Sequence, residues 1–389
     1  MQHPHHPPAL EEPVLVLEDV VRELWPCLDT QAIRAMRLCC TPLRDAVDAH
    51  ISGLVGPIND DAPVLSAAAC ARLNGVHTMT LRSMACLRGM QLVAPHAQPD
   101  PFPRLTSLRM LIDERGAPAI EAAADYEAIT KIAPWLTQLS LRLPHSAAAL
   151  PQQMASLLSA CSKLEDLTLH AYDEAVPTYM PPVSNLVHVD ALAAGIQLLH
   201  LRLPCCSSLL NLAPLRGLVN LQSLDISQCR KVSDLAPLGA LVNLQSQEIS
   251  FSDVSDLAPL GALVSLRSLK LKVCHKLSDL APLGALVNLQ SLYICNCRQL
   301  SDLAPLGSLV NLQSLNISAC NNVYDLAPLG SLVNLQSLGM GFCKKVTDLA
   351  PLRALPNLQK LVVSKKYEDK VAPLQNRVGC GALQVVYLG

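Results

Sequence analysis

Seven copies of a 22–23-residue unit fill the second half of this 389-residue chain, and a period that short leaves few folds open. The tetrad Leu-Ala-Pro-Leu marks each copy, with its proline at Pro214, Pro237, Pro259, Pro282, Pro305, Pro328 and Pro351. Between tetrads the text recurs as in Leu218 to Asp234, L-V-N-L-Q-S-L-D-I-S-Q-C-R-K-V-S-D. A unit so small cannot bury an apolar face alone. Its neighbours must stack into a solenoid with one continuous core. Arrays of this kind are ordinarily binding surfaces.

Within a copy, apolar residues alternate across Leu224 and Ile226, as a short strand burying one face requires. Cys206, Cys229, Cys274, Cys297, Cys320 and Cys343 share one repeat position, which predicts an internal ladder just after each strand. A small thiol that hydrogen-bonds weakly suits a buried turn. Metal ligation would need C-x-x-C spacing or histidine partners, and the ladder has neither, so no metal is expected. Asp234, Asp256, Asp279, Asp302, Asp325 and Asp348 each precede a tetrad. There an aspartate can cap a single helical or 3-10 turn that carries proline in its first turn. A column of acids could alternatively hold Ca²⁺; capping is the simpler reading.

The same alternation sends the residues between the leucines to the concave face. One such column reads Arg202, Asp225, Glu248, Lys270, Tyr293, Asn316, then Gly339 and Val362, beside a nearly constant row of serines. Copies that agree almost everywhere else differ most at this outward position. Two explanations stand: a surface individualised for a ligand, with acidic, basic and aromatic zones, or drift at an unconstrained site. One copy departs from the rest. Between Leu244 and Val254 a residue is missing, the ladder cysteine is absent, and Gln247 takes the place of an inward leucine. A local kink or slightly opened packing is expected there.

The pattern L-x-x-L-x-I-x-x-C-x-x-V resembles the leucine-rich repeat. Starts fall at Leu198, Leu221, Leu244, Leu266, Leu289, Leu312, Leu335 and Leu358, with a shorter echo at Leu383 and looser copies at Val76, Leu105, Leu136 and Leu164. The resemblance implies an α/β leucine-rich-repeat solenoid, a curved parallel sheet with helices or 3-10 turns on its convex side. The D-L-x-P-L element is similar to the short repeats of phosphatase regulators and bacterial internalins; the cysteine position is similar to repeats of the F-box type. Upstream copies are longer, and Leu150, Met154, Leu157, Leu158 and Cys161 predict a convex-side helix. Segments 91–103 and 171–183 are Pro-rich and read as loops.

Residues 14–50 stand outside the array. Val20, Val21, Leu24, Trp25 and Leu28 share a helical face, Asp29 or Thr30 can cap a second helix, and Thr41-Pro42 opens a third. The string VLEDVVRELWPCLDTQAIRAMRLCCTPLRDAV resembles an F-box. Val16 takes its leading leucine, Val20 and Val21 its leucine pair, Leu24 and Trp25 its I-F, and Ile33 its later leucine. Leu17 stands where the family has proline, and Leu43 where it has tryptophan. The resemblance implies an F-box leucine-rich-repeat protein in which Val16, Leu17, Val20, Val21, Leu24, Trp25 and Ile33 dock a Skp-family adaptor and, through it, a cullin complex. The concave face would then hold a protein substrate for ubiquitin transfer, with the chain a monomer within that complex. The alternative is a leucine-rich-repeat scaffold or phosphatase-regulator-like protein whose N-terminal helices are only a cap. The expected division is a disordered tail 1–13, the F-box-like segment 14–50, irregular repeats 51–195, regular repeats 196–364 and a C-terminal cap 365–389.

Composition narrows the function classes. Net charge is −2, so nothing directs the chain as a whole to nucleic acid or an anionic membrane. The cluster Lys344, Lys345, Arg353, Lys360, Lys365, Lys366 and Lys370 reads as a solvated capping face, since Glu368 and Asp369 interrupt it and no base-stacking aromatics accompany it. No stretch approaches the roughly 18 apolar residues of a spanning helix, and the N-terminus MQHPHHPPALEEP lacks a signal-peptide pattern. The expectation is an intracellular protein of the cytoplasm or nucleus, which makes the 15 cysteines thiols rather than a disulfide framework. G-x-x-x-x-G-K-[ST], G-x-S-x-G, H-E-x-x-H and G-x-G-x-x-G are all missing, so neither enzymatic activity nor a cofactor is expected.

Overall fold

Each alternating leucine pair closes into a strand and each tetrad into a 3-10 turn. The computed structural model of the chain describes residues 78–81, 106–110, 126–127, 129–130, 136–142, 151–170, 190–206, 209–375 and 382–388. The seven adaptor-docking residues from Val16 to Ile33, the tail, and the two Pro-rich segments lie outside the described residues. The upstream strands are β1 (Thr78–Leu81), β2 (Ser107–Met110), β3 (Gln138–Arg142), β4 (Asp166–His170) and β5 (His200–Arg202). Then come β6 (Ser223–Ser227), β7 (Ser246–Ser250), β8 (Ser268–Lys272) and β9 (Ser291–Cys295). The last four are β10 (Ser314–Asn316), β11 (Ser337–Gly339), β12 (Lys360–Ser364) and β13 (Gln384–Leu388). All thirteen pair in chain order in one parallel sheet. The looser upstream copies and the echo at Leu383 thus belong to the same sheet as the regular repeats.

The core is an aliphatic column. Leu221, Leu224, Ile226, Cys229, Val232, Leu235, Leu238 and Leu241 of one repeat are all buried, and their counterparts repeat the arrangement up and down the array. Each fully buried leucine contributes about 1.5–3 kcal/mol. Helix α1 (Pro151–Ala160) covers the convex side ahead of β4, with Met154, Leu157 and Leu158 inward and Cys161 buried just past its end, as their spacing predicts. From Asp190 to Ala354 the described elements of the convex side are five-residue 3-10 turns such as Ala236–Ala240.

The aspartates cap these turns. In each of six repeats the Oδ1 atom of the predicted aspartate accepts a bond of 2.7–2.8 Å from the first N–H of the turn, as Asp234 does from Ala236. Asn211 does the same for Ala213. Proline follows at the second position of the turn, where its missing N–H costs nothing.

The thiols form the predicted ladder. Cys206, Cys229, Cys274, Cys297, Cys320 and Cys343 are all buried and none is in a disulfide. Four of them reach back one repeat to a carbonyl in or just past its strand: Cys229 to Leu203 (3.2 Å), Cys297 to Leu271 (3.7 Å), Cys320 to Ile294 (3.4 Å) and Cys343 to Ile317 (3.1 Å). Burial pushes the Cys343 thiol up to about 12, so it stays protonated and able to donate.

The residue just before each ladder position is left-handed although it is never glycine. Cys205, Gln228, Phe251, Val273, Asn296, Ala319 and Phe342 have φ between 53° and 62°. Six of their N–H groups bond to one carbonyl position of the following repeat, at or just past the end of its strand, as Val273 does to the Cys295 carbonyl at 2.8 Å. The chain therefore turns inward while its backbone stays tied to its neighbour. That conformation costs an L-residue about 1–2 kcal/mol, and the tie holds it there.

At the divergent copy the outcome differs from the expected kink. Strand β7 pairs over five residues with both β6 and β8, and Gln247, Ile249 and Val254 are buried. The missing residue falls in the turn after the strand, so it shortens a loop and leaves the register intact. Nor is the ladder position vacant, because Ser252 occupies it, buried, with its hydroxyl 3.5 Å from the Cys274 sulfur. The cost sits in Gln247 itself. Its Nε2 reaches the Glu248 carbonyl only at 3.4 Å, and its Oε1 has no partner.

At the C-terminal end, Lys365–Tyr367 and helix α2 (Glu368–Gln375) precede β13. The buried Tyr367 donates its hydroxyl to the carbonyls of Cys343 (2.7 Å) and Val346 (3.0 Å). Lys366 donates to the carbonyls of Cys343 and Lys344, and Lys370 to that of Thr347. Part of the basic cluster thus binds the loop that leads into the last Leu-Ala-Pro-Leu tetrad.

Candidate binding surface on the concave face

Parallel register decides which side chains meet. Arg202 is paired with Asp225, Asp225 with Glu248, Glu248 with Lys270 and Lys270 with Tyr293. Tyr293 is paired with Asn316, Asn316 with Gly339 and Gly339 with Val362. The structure therefore brings all six sequence-selected residues, Arg202, Asp225, Glu248, Lys270, Tyr293 and Asn316, into one unbroken row across the strands. Ser223, Ser246, Ser268, Ser291, Ser314 and Ser337 form a parallel row on the entry side.

A third row completes the face: Ser227, Ser250, Lys272 and Cys295 on strands β6 to β9, with Ser364 on β12. Lys272 and Cys295 belong to the candidate site and were not picked out from the sequence. The signal was present, since both replace a serine two residues beyond the variable column.

The charged zones expected from the sequence are not separate. Glu248 sits between two lysines, 3.0 Å from Lys270 Nζ and 2.8 Å from Lys272 Nζ. Burial alone would raise its carboxyl, but hydrogen bonds from Lys272 and Lys270 outweigh that and hold it below its ordinary value. Lys272 Nζ also lies 5.4 Å from the centre of the Tyr293 ring, within cation–π range. Acid, bases and aromatic thus form one cross-linked cluster over β7, β8 and β9. Burial pushes the neighbouring Cys295 thiol up, which disfavours the reactive thiolate.

Two other members of the row fold back on the backbone. Asp225 Oδ1 accepts from the Ser227 N–H at 2.8 Å and from the Ser227 hydroxyl. Asn316 Oδ1 accepts from the Ser318 N–H at 2.9 Å. Both are Asx-type turns, which flatten the side chain against the sheet. Arg202, about half exposed, makes a loose 3.5 Å pair with Asp166 on β4. The result is a shallow floor of small and folded side chains around one raised cluster, Glu248–Lys270–Lys272–Tyr293. Among the described residues no group of three or more His, Cys, Asp or Glu could hold a metal ion.

Residues 287–331 match the family model described as Leucine Rich repeats (2 copies). No curated protein matches the chain. Among solved structures, an internalin (inlF) from Listeria monocytogenes is 22% identical over 69% of this chain and 85% of its own, with a TM-score of 0.41. Internalin C2 from the same organism is 30% identical over 44% of this chain and 74% of its own, with a TM-score of 0.37. A leucine-rich-repeat protein of Leptospira interrogans is 16% identical over 84% of this chain and 100% of its own, with a TM-score of 0.37. The repeat geometry and the match over residues 287–331 make the array a leucine-rich-repeat solenoid, an architecture that offers partners an extended concave surface.

Proposed function

We propose that this chain binds a protein partner on the concave face of the array and takes no part in catalysis itself. One observation carries the reading: repeats that are otherwise near-copies differ most along a single continuous row of the concave face, whose members from Arg202 to Asn316 are all at least partly exposed. The cross-linked cluster around Glu248 supports it, because a preorganised aromatic and charged group loses little freedom on binding.

The more specific reading makes the chain the substrate-recognition subunit of an SCF-type ubiquitin ligase of the cytoplasm or nucleus. Its support is the F-box-like string, in which Val16, Leu17, Val20, Val21, Leu24, Trp25 and Ile33 would dock the Skp-family adaptor. Two experiments separate the levels. Affinity capture with the full chain and with a form carrying Asp225→Ala, Glu248→Ala, Lys270→Ala and Tyr293→Ala tests the concave face. Loss of the captured partners from the variant supports it, and identical capture rules the row out. Pulldown of a purified Skp-family adaptor by the full chain, set against a Val20→Asp, Leu24→Asp, Trp25→Ala form, tests the ligase reading. Failure of the unaltered chain to bind leaves a leucine-rich-repeat scaffold with no ligase.

A further inference from the structure

A second surface runs along the edge where the chain enters the strands, away from the variable row. Gln222, Gln245, Gln290, Gln313, Gln336 and Gln359 occupy one repeat position, with Arg267 in the single gap. They form a true column, because each backbone N–H in the run from Gln245 to Gln359 bonds to the carbonyl of the preceding member at 2.8 Å. Two residues earlier in the sequence runs a second amide column, including Asn243, Asn288, Asn311, Asn334 and Asn357. Each of these asparagines donates one Nδ2 hydrogen to a valine carbonyl of the previous repeat, at 2.8–3.0 Å.

The asparagines therefore have a structural task, and the glutamines do not. Gln245, Gln290, Gln313, Gln336 and Gln359 are exposed, and none has a side-chain hydrogen bond among the described residues. The two columns line an open groove of about 670 Å³ from Gln245 to Gln336. A smaller one of about 260 Å³ continues it toward Gln197, sharing Gln245 and Ser265.

The chemistry of this groove excludes most ligands. One cation, Arg267, is too little for a polyanion, whose binding rests on many neutralised phosphates. No carboxylate lines it, so it does not suit a metal, and a wall made almost wholly of amides does not suit an apolar peptide. Register argues against any extended peptide. Successive glutamines recur at the strand spacing of about 4.8 Å, whereas an extended chain presents equivalent amides every two residues, about 6.6 Å. A sugar chain has no such restriction, because every ring carries several hydroxyls and each hydroxyl both donates and accepts. Primary amides offer the same pair of functions.

We propose that this groove binds a neutral, hydroxyl-rich chain, an oligosaccharide laid across three or more repeats. Gln290, Gln313 and Gln336 form its centre, with the free Oδ1 atoms of the asparagine column as further acceptors.

The test uses the full chain and four neutral probes: maltoheptaose, cellohexaose, laminarihexaose and chitohexaose. Titration calorimetry should give saturable binding of at least one of them. Changing Gln290→Ala, Gln313→Ala and Gln336→Ala together should weaken that binding at least tenfold with unchanged circular dichroism. The isosteric pair Gln290→Glu and Gln336→Glu serves if the triple form folds poorly, and should also weaken it. Substitutions in the concave row should leave it untouched. The proposal is overturned if none of the four probes saturates the protein, if the glutamine variants bind as well as the unaltered chain, or if a Ser-Gly repeat peptide competes for the groove.

Discussion

Asn316 lies over Gly339: a β-carbon on Gly339 would stand 2.7 Å from the Asn316 amide nitrogen and 2.9 Å from its Cγ. The only glycine in the variable row thus exists to accept the folded side chain of the preceding repeat. Gly339→Ala should displace Asn316, break its bond to the Ser318 N–H and cost about 1 kcal/mol, in the range for mild overpacking. Faster amide exchange at Ser318, read by NMR, would report the lost bond. Unchanged exchange would mean that Asn316 settles elsewhere without strain.

Gln247 is the one inward strand position in the regular repeats that is not aliphatic, and its Oε1 is buried without a partner. Gln247→Leu should stabilise the array by about 1–3 kcal/mol, because the unsatisfied acceptor disappears and a shape present in the neighbouring repeats takes its place. A higher urea midpoint checks this. A lower one would show that the site is shaped for the amide.

Removing both lysines should invert the titration of Glu248. In the unaltered protein its carboxyl is held below the ordinary value of 4.5, so its contribution is present above that value and fades as pH falls through the lower folded value. With Lys270→Met and Lys272→Met, burial remains and attraction is gone, so the carboxyl should rise above 4.5. Stability would then decline as pH climbs from 4.5 toward the raised value. NMR titration of the Glu248 side chain distinguishes the two directions.

Val273 is β-branched and left-handed, with φ of 58°. Val273→Asn keeps a side chain that tolerates this conformation and should stabilise by about 1 kcal/mol. Thermal denaturation of the two forms checks it, and an unchanged midpoint would place the compensation in the tie to Cys295.

Comparison of one copy with the next made the inward leucines, the thiol ladder and the aspartate caps legible, because each position was sampled many times against an unchanged background. The same comparison found the row from Arg202 to Asn316. It missed Lys272 and Cys295, whose column is otherwise mostly serine. It also separated charges that the structure joins, since the reach of a lysine across a strand spacing is a property of the stack and not of the copy. The left-handed position was invisible for a different reason. Cys, Gln, Phe, Val, Asn and Ala occupy it, and a bond to the next repeat rather than local preference sets the conformation. Ser252 went unnoticed because the lost residue lies beyond it, and counting back from Val254 hides its alignment with the cysteines.

The ties between repeats have one further consequence, for how this chain reaches its fold. Asparagine bonds span 24 residues and thiol bonds 26, while the regular strands pair across 22 or 23. Parallel sheets are usually slow to form because their partners are distant in sequence. Here every partner is one unit away, so sequence separation stays fixed however many units are added. Duplication could lengthen such a protein without lengthening its search, and the sheet can zip outward from whichever pair of repeats meets first.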